Sequence, residues 1–260
     1  MPRFAANLSM MFTEVPFPER FRAAAEAGFE AVEFLFPYEW PAADVAKWRA
    51  AAGVEQVLIN MPPGDWEAGE RGLAALPGRE DEFKGHVAQA LEYAEALGCP
   101  RVHCMAGVPP QGTDRDACYR TFHDNLRYAC DEAVKLGVDI LIEPLNFHDA
   151  PGYFVVRQGF AHKVVAEVGA ENLAVQMDLY HCQIVEGNLA MALQKYIASV
   201  GHFQVSSVPD RHEPDEGEIN YAYLFDLIDE LGYQGWVGCE YHPRAGTVEG
   251  LGWLKPYGIG

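Results

Sequence analysis

Four polar side chains close or follow runs of apolar residues in the second half of the chain. Glu143 closes ILIE, Asp178 closes AVQMD, Gln204 lies in HFQV and Glu240 closes VGCE. Three carboxylates buried together repel one another, and each loses its hydration, so a positive charge must sit among them. Oxygen ligands from four separate segments favour Mg²⁺ or Mn²⁺ over a thiolate-binding metal. The pattern predicts a divalent metal site, although a single such residue would be read as a salt-bridged or solvated carboxylate.

Histidines and arginines near the same segments are candidates for substrate binding. His181 lies three residues after the aspartate, and His103 lies in RVHCMAG at the end of another apolar run. Neutral imidazole can bind a metal or donate to a substrate, but isolated histidines near strand ends are as often structural. The same two possibilities hold for His202, which is expected near the same rim. Arg71 in GERG and Arg211 in PDRHEP carry guanidinium groups that suit a carboxylate. For both arginines, a salt bridge within the loop is the alternative.

Eight short β-rich runs alternate with segments of helical periodicity and must position these residues. The predicted strands span residues 4–10, 31–36, 56–61, 101–106, 139–145, 173–179, 202–206 and 235–241. The predicted helices span residues 17–27, 42–52, 80–97, 116–136, 159–168, 189–199 and 221–231, with a short one after 247. Gly28, Gly98, Gly137 and Gly232 are expected to end helices in the left-handed conformation.

The strand pattern predicts an α/β fold with a parallel sheet. Runs such as ILIEPL and WVGCEY are apolar at nearly every position, as in strands that helices cover on both faces. Eight such units predict a single (β/α)₈ TIM barrel over residues 1–260, with an open doubly wound sheet as the alternative. Polar residues at the carboxyl ends of the strands would then share one mouth, with the long loops at 62–79 and 208–220.

The composition of the chain bears on its binding partners and on its location in the cell. The chain has 19 basic and 38 acidic residues, and its net charge of -19 disfavours a nucleic acid partner. No apolar stretch approaches the roughly 20 residues of a membrane span. Six cysteines without a C-x-x-C pair are expected to be buried and reduced, and the start lacks signal-peptide features, so we expect a cytoplasmic protein. The oligomeric state stays open, with a homo-oligomer among the options.

Several segments between residues 4 and 244 resemble the hydroxypyruvate isomerase family of xylose-isomerase-like TIM barrels: FAANLSMMF, PGDWEAGERG, IEPLN, QMDLYH, EPDEGEINY and GWVGCEYHPR. The first and fifth are closer to its 2-oxo-tetronate isomerase branch, and IEPLN is closer to its hydroxypyruvate isomerase branch, which leaves the substrate undecided. The resemblance implies that Glu143 and Glu240 are catalytic and that His181 and Arg211 contact the substrate. It also implies a divalent metal held by Glu143, Asp178, Gln204 and Glu240. Related barrels usually have a histidine in place of Gln204, so the requirement for a metal is open.

The resemblance implies isomerisation of a short 2-oxo hydroxy acid through an enediolate. The reaction would convert 2-oxo-tetronate to 3-oxo-tetronate, or hydroxypyruvate to tartronate semialdehyde. Glu143 and Glu240 would move the proton between neighbouring carbons, and Arg71 or Arg211 would bind the substrate carboxylate. The alternatives are a metal-dependent ketose 3-epimerase, a noncatalytic sugar-acid-binding module and an abasic-site endonuclease. The acidic composition and the amide ligand disfavour the endonuclease.

Overall fold

The computed structural model describes all 260 residues and contains a closed barrel of eight parallel strands paired in chain order. Strands β1 to β8 span Arg3–Asn7, Ala31–Phe34, Glu55–Asn60, Arg101–His103, Asp139–Ile142, Leu173–Asp178, Val200–Val205 and Trp236–Cys239. The first strand pairs with the last, with Arg3 opposite Trp236 and Ala6 opposite Cys239. This closure confirms the predicted (β/α)₈ barrel and excludes the open sheet.

Nine α-helices surround the strands. Helices α1 to α9 span Phe17–Glu26, Ala42–Ala52, Glu80–Leu97, Arg115–Ala133, Gln158–Val168, Leu179–Val185, Leu189–Tyr196, Tyr221–Glu230 and Thr247–Gly250. Helices α4, α7 and α9 continue as 3₁₀ segments at Val134–Leu136, Ile197–Ser199 and Leu251–Tyr257. The structure holds no helix of the length and apolarity that crossing a bilayer requires.

The predicted boundaries differ from the observed ones mainly at the carboxyl ends of the strands. Residues 104–106 and 143–145 were predicted to continue β4 and β5, but they leave the sheet and form the rim of the barrel. Helix α6 was not predicted. It begins directly after β6, where the Asp178 carboxylate accepts a hydrogen bond from the Tyr180 N–H at 2.8 Å and so caps the helix. The four glycines expected to end helices all have positive φ angles.

The main hydrophobic core lies between the strands and the helices. The interior of the barrel, in contrast, contains a small apolar cluster and a layer of buried polar side chains. A separate apolar cluster of Ala5, Ala31, Val57 and Trp236 comes from β1, β2, β3 and β8, in the part of the barrel nearer the amino-terminal ends of the strands. Further along the strands lies a set of buried polar side chains, here called the polar layer: Asn7, Glu33, Gln176, His202 and Gln204. The polar layer therefore separates the apolar base of the barrel from its mouth.

All six cysteines are buried and unpaired, as predicted from their spacing. Burial raises the pKa of the Cys99 thiol to about 12 and raises the pKa of the Cys182 thiol to about 12. Thiols in such surroundings stay protonated and are poor nucleophiles. The cysteines are therefore packing residues, and the chemistry must come from other side chains.

Candidate active site

A cavity of about 400 Å³ opens at the carboxyl ends of the strands, which is a size that suits a small metabolite. The six side chains predicted to act on or bind a substrate all line it: Arg71, His103, Glu143, His181, Arg211 and Glu240. Asp178 lies immediately beside them, fully buried at the end of β6. The structure thus brings residues from both long loops and from four strand ends to one cavity.

Arg211 is the cation among the buried carboxylates. Its Nη2 lies 2.7 Å from Glu240 Oε2 and 3.2 Å from Asp178 Oδ2, and its Nη1 lies 3.3 Å from Asp149 Oδ2. It forms no ion pair with the acids of its own loop, of which Glu213 pairs with Arg244 instead. The guanidinium therefore supplies at least part of the positive charge that clustered carboxylates require.

The backbone of Arg211 is held in an unusual conformation. Its φ angle is 55°, in the left-handed region, which costs a non-glycine residue about 1 kcal/mol or more. The Arg211 N–H donates to the Ser207 carbonyl at 3.0 Å, and the His242 N–H donates to the Arg211 carbonyl at 2.9 Å. These bonds fix the loop so that the guanidinium points to the carboxylates.

The two predicted catalytic glutamates both have raised pKa values. Burial, followed by the charges of Glu240 and Asp178, raises the pKa of Glu143 well above its ordinary value. Burial also raises the pKa of Glu240 to about 8, although the charge of Arg211 acts in the opposite direction. Because Glu240 has the guanidinium as a partner and Glu143 has none, Glu240 is the one that ionises more readily.

His181 is neutral, and its hydrogen bonds assign its tautomer. The Asn146 N–H donates to Nδ1 at 3.2 Å, and the Asn146 side-chain nitrogen lies 2.7 Å from the same atom. With Nδ1 as acceptor, the hydrogen of the neutral ring is on Nε2, which lies 3.6 Å from Asp178 Oδ2. Burial lowers the pKa of His181 well below its ordinary value. His181 therefore presents an N–H donor at the cavity.

His103 has unused hydrogen-bonding capacity. Both ring nitrogens are buried without a hydrogen-bond partner, and Nδ1 lies 3.4 Å from Glu143 Oε2. Burial lowers its pKa to about 3, so the ring is neutral and carries one donor and one acceptor. A polar group left unpaired in this way is costly, and a bound ligand could satisfy it.

Arg71 also lines the cavity, and its guanidinium forms no ion pair with an acidic side chain. Its guanidinium stacks 3.5 Å from the ring of Trp66, and its Nη1 donates to the carbonyls of Trp66 at 3.1 Å and Glu70 at 2.8 Å. The Glu70 carboxylate pairs with Arg79, so the expected alternative of a salt bridge within GERG is not formed. The charge of Arg71 is thus free to bind an anion.

Gly72 holds the loop of Arg71 against the rim. It has a φ angle of 102° and forms an isolated bridge with Ala106. A Cβ atom at this position would overlap the backbone of Met105. Only glycine allows the two loops to approach so closely, and this approach places the preceding arginine at the mouth.

Two of the four predicted metal ligands, Glu143 and Asp178, converge with His181, which was predicted as a substrate contact, and Gln204 has other partners. Glu143, Asp178 and His181 each offer a buried ligand atom, and these atoms lie within 4.8 Å of one another. Glu143 Oε1 has no hydrogen-bond partner, so it is available to a cation. Gln204 Oε1, in contrast, accepts from Gln176 at 2.6 Å, and its Nε2 donates to Glu33 at 2.8 Å. The carboxylates of Glu143 and Asp178 fit Mg²⁺ or Mn²⁺, whereas His181 would have to give up its bond from Asn146.

Several residues at the site were missed in the sequence or expected elsewhere. Asn146 and Asp149 follow β5 and orient His181 and Arg211, and IEPLN contained the first of them. Glu33, the charged residue in the apolar run AVEFLF, is fully buried in the polar layer. His202 was expected near the rim, but it lies inside the barrel, with Nε2 2.6 Å from Glu33 Oε2.

Comparison with known proteins agrees with this architecture. Residues 21–257 match the family model of the xylose isomerase-like TIM barrel. A 2-oxo-tetronate isomerase of Cupriavidus necator is 59% identical over 99% of both chains, and a hydroxypyruvate isomerase of Escherichia coli is 45% identical over 99% of this chain and 100% of the other. The crystal structure of an AP endonuclease family 2 protein from Brucella melitensis is 56% identical, with a TM-score of 0.97 and 99% of each chain covered. The chain therefore belongs to the xylose isomerase-like TIM barrel family.

Proposed function

We propose that this protein is an isomerase of short 2-oxo hydroxy acids and that 2-oxo-tetronate is its substrate. The observation that carries the proposal is the pair Glu143 and Glu240, two buried glutamates with raised pKa values at one cavity. The same cavity holds the guanidinium of Arg71 and the imidazoles of His103 and His181 as hydrogen-bond donors. The relatives support this chemistry, and the 59% identity to a 2-oxo-tetronate isomerase favours the four-carbon acid over hydroxypyruvate.

The two glutamates have separate tasks in the proposed mechanism. Glu240, which Arg211 helps to ionise, removes the proton from C3 of 2-oxo-tetronate. Glu143, held protonated by burial and by its acidic neighbours, returns a proton to C2. The hydroxyl proton on O3 moves to O2 in the same process, so the product is 3-oxo-tetronate. In the reverse direction the two glutamates exchange roles.

The negative charge of the enediolate needs donors that are already oriented. His181 presents its Nε2–H and His103 a ring nitrogen without a partner, both at the cavity wall. Donors that are fixed before the reaction stabilise developing charge without reorganisation. Arg71 binds the substrate carboxylate, because its guanidinium has no carboxylate within the protein, whereas Arg211 already contacts three. A bidentate arginine would also fix which end of the substrate faces the glutamates.

A Mg²⁺ or Mn²⁺ ion is part of the proposal. Asp178 and Glu240 would hold it, together with Glu143 through its unpartnered Oε1 and Gln204 through the second lone pair of its Oε1. In this arrangement Glu143 can keep a proton on Oε2, and Gln204 can keep its bond from Gln176. When bound, the ion would supply a Lewis-acid charge next to the oxygens of the enediolate.

Two alternatives predict different outcomes with the same cavity. A ketose 3-epimerase would remove the same kind of proton but return one to the same carbon. A noncatalytic binding module would bind the acid without exchanging its α-proton. The raised pKa values of the two glutamates favour proton transfer over binding alone, because strongly shifted pKa values cluster at catalytic sites.

We propose a small-molecule partner and no nucleic acid. The net charge of -19 repels a phosphate backbone. Six buried, unpaired thiols are typical of a reducing compartment, which supports a cytoplasmic location.

The test is ¹H NMR of the purified protein in D₂O with 2-oxo-tetronate, hydroxypyruvate and a free ketose, each with and without a chelator. We expect conversion of 2-oxo-tetronate with deuterium in the product and slower conversion of hydroxypyruvate. Exclusive epimerisation of the ketose, or binding without any deuterium uptake, would contradict the proposal. Loss of activity with the chelator and recovery with Mn²⁺ would support the metal, and full activity without metal would remove it.

A further inference from the structure

Glu33 is a fully buried acid that lies below the cavity and has no place in the mechanism described so far. Its Oε1 accepts hydrogen bonds from Asn7 Nδ2 at 2.9 Å and from Gln204 Nε2 at 2.8 Å, and its Oε2 lies 2.6 Å from His202 Nε2. A buried carboxylate is tolerated only when its lone pairs are satisfied in this way.

One branch of hydrogen bonds leads from Glu33 to Glu240. The Asn7 side-chain nitrogen donates both to Glu33 and, at 3.3 Å, to Glu240 Oε1. The orientation of this amide is fixed, because its oxygen accepts the Ser9 N–H at 3.0 Å. Asn7 therefore bridges the two carboxylates with a single NH₂ group, which the Ser9 N–H and the Glu33 carboxylate hold in place together.

A second branch leads to Glu143 through two amides. Gln204 donates to Glu33 at 2.8 Å and accepts from Gln176 Nε2 at 2.6 Å. The same Gln176 nitrogen donates to Glu143 Oε2 at 2.9 Å. With its amide nitrogen committed to Glu33, Gln204 must turn its oxygen to Gln176, which in turn directs the Gln176 NH₂ to Glu143.

Strand β8, which only β1 separates from the strand of Glu33, is adapted to this side chain. Gly238 lies in β8, two residues before Glu240, and a Cβ atom there would overlap the Glu33 carboxylate. This observation is independent of the hydrogen bonds. It indicates that the barrel interior is shaped to hold a glutamate side chain at this height.

We propose that Glu33 is a positioning residue that orients both catalytic carboxylates, Glu240 through Asn7 and Glu143 through Gln204 and Gln176. This inference rests on the proposed roles of Glu143 and Glu240. Without an acceptor at position 33, Asn7 is held only through its oxygen and Gln204 only through Gln176, so the amides that contact the two proton-transfer groups are held less firmly.

The test compares three substitutions of Glu33 by steady-state kinetics with 2-oxo-tetronate as the substrate. In Glu33→Asp the carboxylate is one methylene too short to contact both amides and His202, and in Glu33→Leu the acceptor is absent. We expect kcat to fall by about 10- to 100-fold in both, with KM within about threefold of wild type. In Glu33→Gln, the amide oxygen still accepts both bonds, so kcat should stay within about threefold of wild type. Gln56→Met is the control, because Gln56 is as buried but bonds only the Leu58 carbonyl.

A double-substitution experiment distinguishes positioning from a general effect on folding. Asn7→Leu cuts the branch to Glu240, so Glu33→Asp should reduce kcat at least threefold less in that background than in wild type. The proposal is overturned if folded Glu33→Asp and Glu33→Leu keep kcat within threefold of wild type, or if Glu33→Asp costs the same factor in both backgrounds. Retained activity in Glu143→Gln or Glu240→Gln would instead contradict the proposed function, so the two failures can be told apart.

Discussion

Replacing Glu240 by Gln should change how the stability of the protein depends on pH. The residue is 4% exposed, and burial raises the pKa of its side chain from 4.5 to about 8 even with Arg211 nearby. A glutamine has nearly the shape of the protonated acid but cannot ionise. Wild type therefore has to ionise a buried group as the pH rises, and the variant does not.

The sign and size of the effect follow from proton linkage. The folded state binds the proton of Glu240 more tightly than the unfolded chain, so the stabilisation is complete below pH 4.5 and is lost as the pH rises through 8. At about 1.4 kcal/mol per pKa unit, the full difference is about 5 kcal/mol. This is an upper limit, because Asp178 and Glu143 can retain protons in its place. For a protein of this size it corresponds to a difference in melting temperature of up to about 10 °C.

Thermal unfolding followed by circular dichroism, in chelator and at several pH values from 5 to 9, measures this difference. We expect Glu240→Gln to melt close to wild type at pH 5 and several degrees above it at pH 9. Glu39→Gln, at an exposed glutamate, is the control and should follow wild type throughout. If the Glu240→Gln and wild-type curves stay parallel from pH 5 to 9, Glu240 does not have a raised pKa and the division of roles between the glutamates is wrong.

Three further predictions concern the cations and the metal. Arg71→Met should raise KM by about 10- to 100-fold and change kcat little, since a charged hydrogen bond contributes about 1.5–3 kcal/mol; a KM within twofold of wild type would exclude Arg71 as the carboxylate ligand. Arg211→Met leaves Asp178 and Glu240 without their cation, so it should lower the melting temperature, more at pH 9 than at pH 5, and an unchanged melting temperature would refute that role. Asp178→Asn should weaken Mn²⁺ binding in calorimetry by at least about tenfold, and equal binding would exclude Asp178 as a ligand.

The sequence predicted the barrel well because its signals are periodic and local. The predicted bounds of α2 and α3 match the observed helices, and the eight strands occur in the predicted order. The errors lie where apolar runs continue past the sheet. Residues after β4 and β5 read as strand because they are buried, yet they lose their strand partners at the rim, and burial alone does not reveal where pairing stops.

The site was predictable where a charged residue closes an apolar run, but the partners of those residues were not. Arg211 was expected to contact a substrate carboxylate, whereas in the structure it contacts three carboxylates that are distant in sequence. Gln204 was expected to hold a metal, and that assignment stays a prediction. The sequence did not indicate that its amide also donates to Glu33, which comes from a distant strand of the barrel. Such pairings are set by barrel closure, which no local pattern encodes. Glu33 itself could have been found as the charged residue in AVEFLF.

The central claim is that Glu143 and Glu240 together move a proton between neighbouring carbons of the substrate. Its most direct test is ¹H NMR in D₂O of wild type, Glu143→Gln and Glu240→Gln with 2-oxo-tetronate, with substrate binding checked by calorimetry. We predict isomerisation with deuterium uptake in wild type, and a loss of turnover of at least about a hundredfold in each variant with binding retained. Turnover above a tenth of the wild-type rate in either variant would contradict the claim.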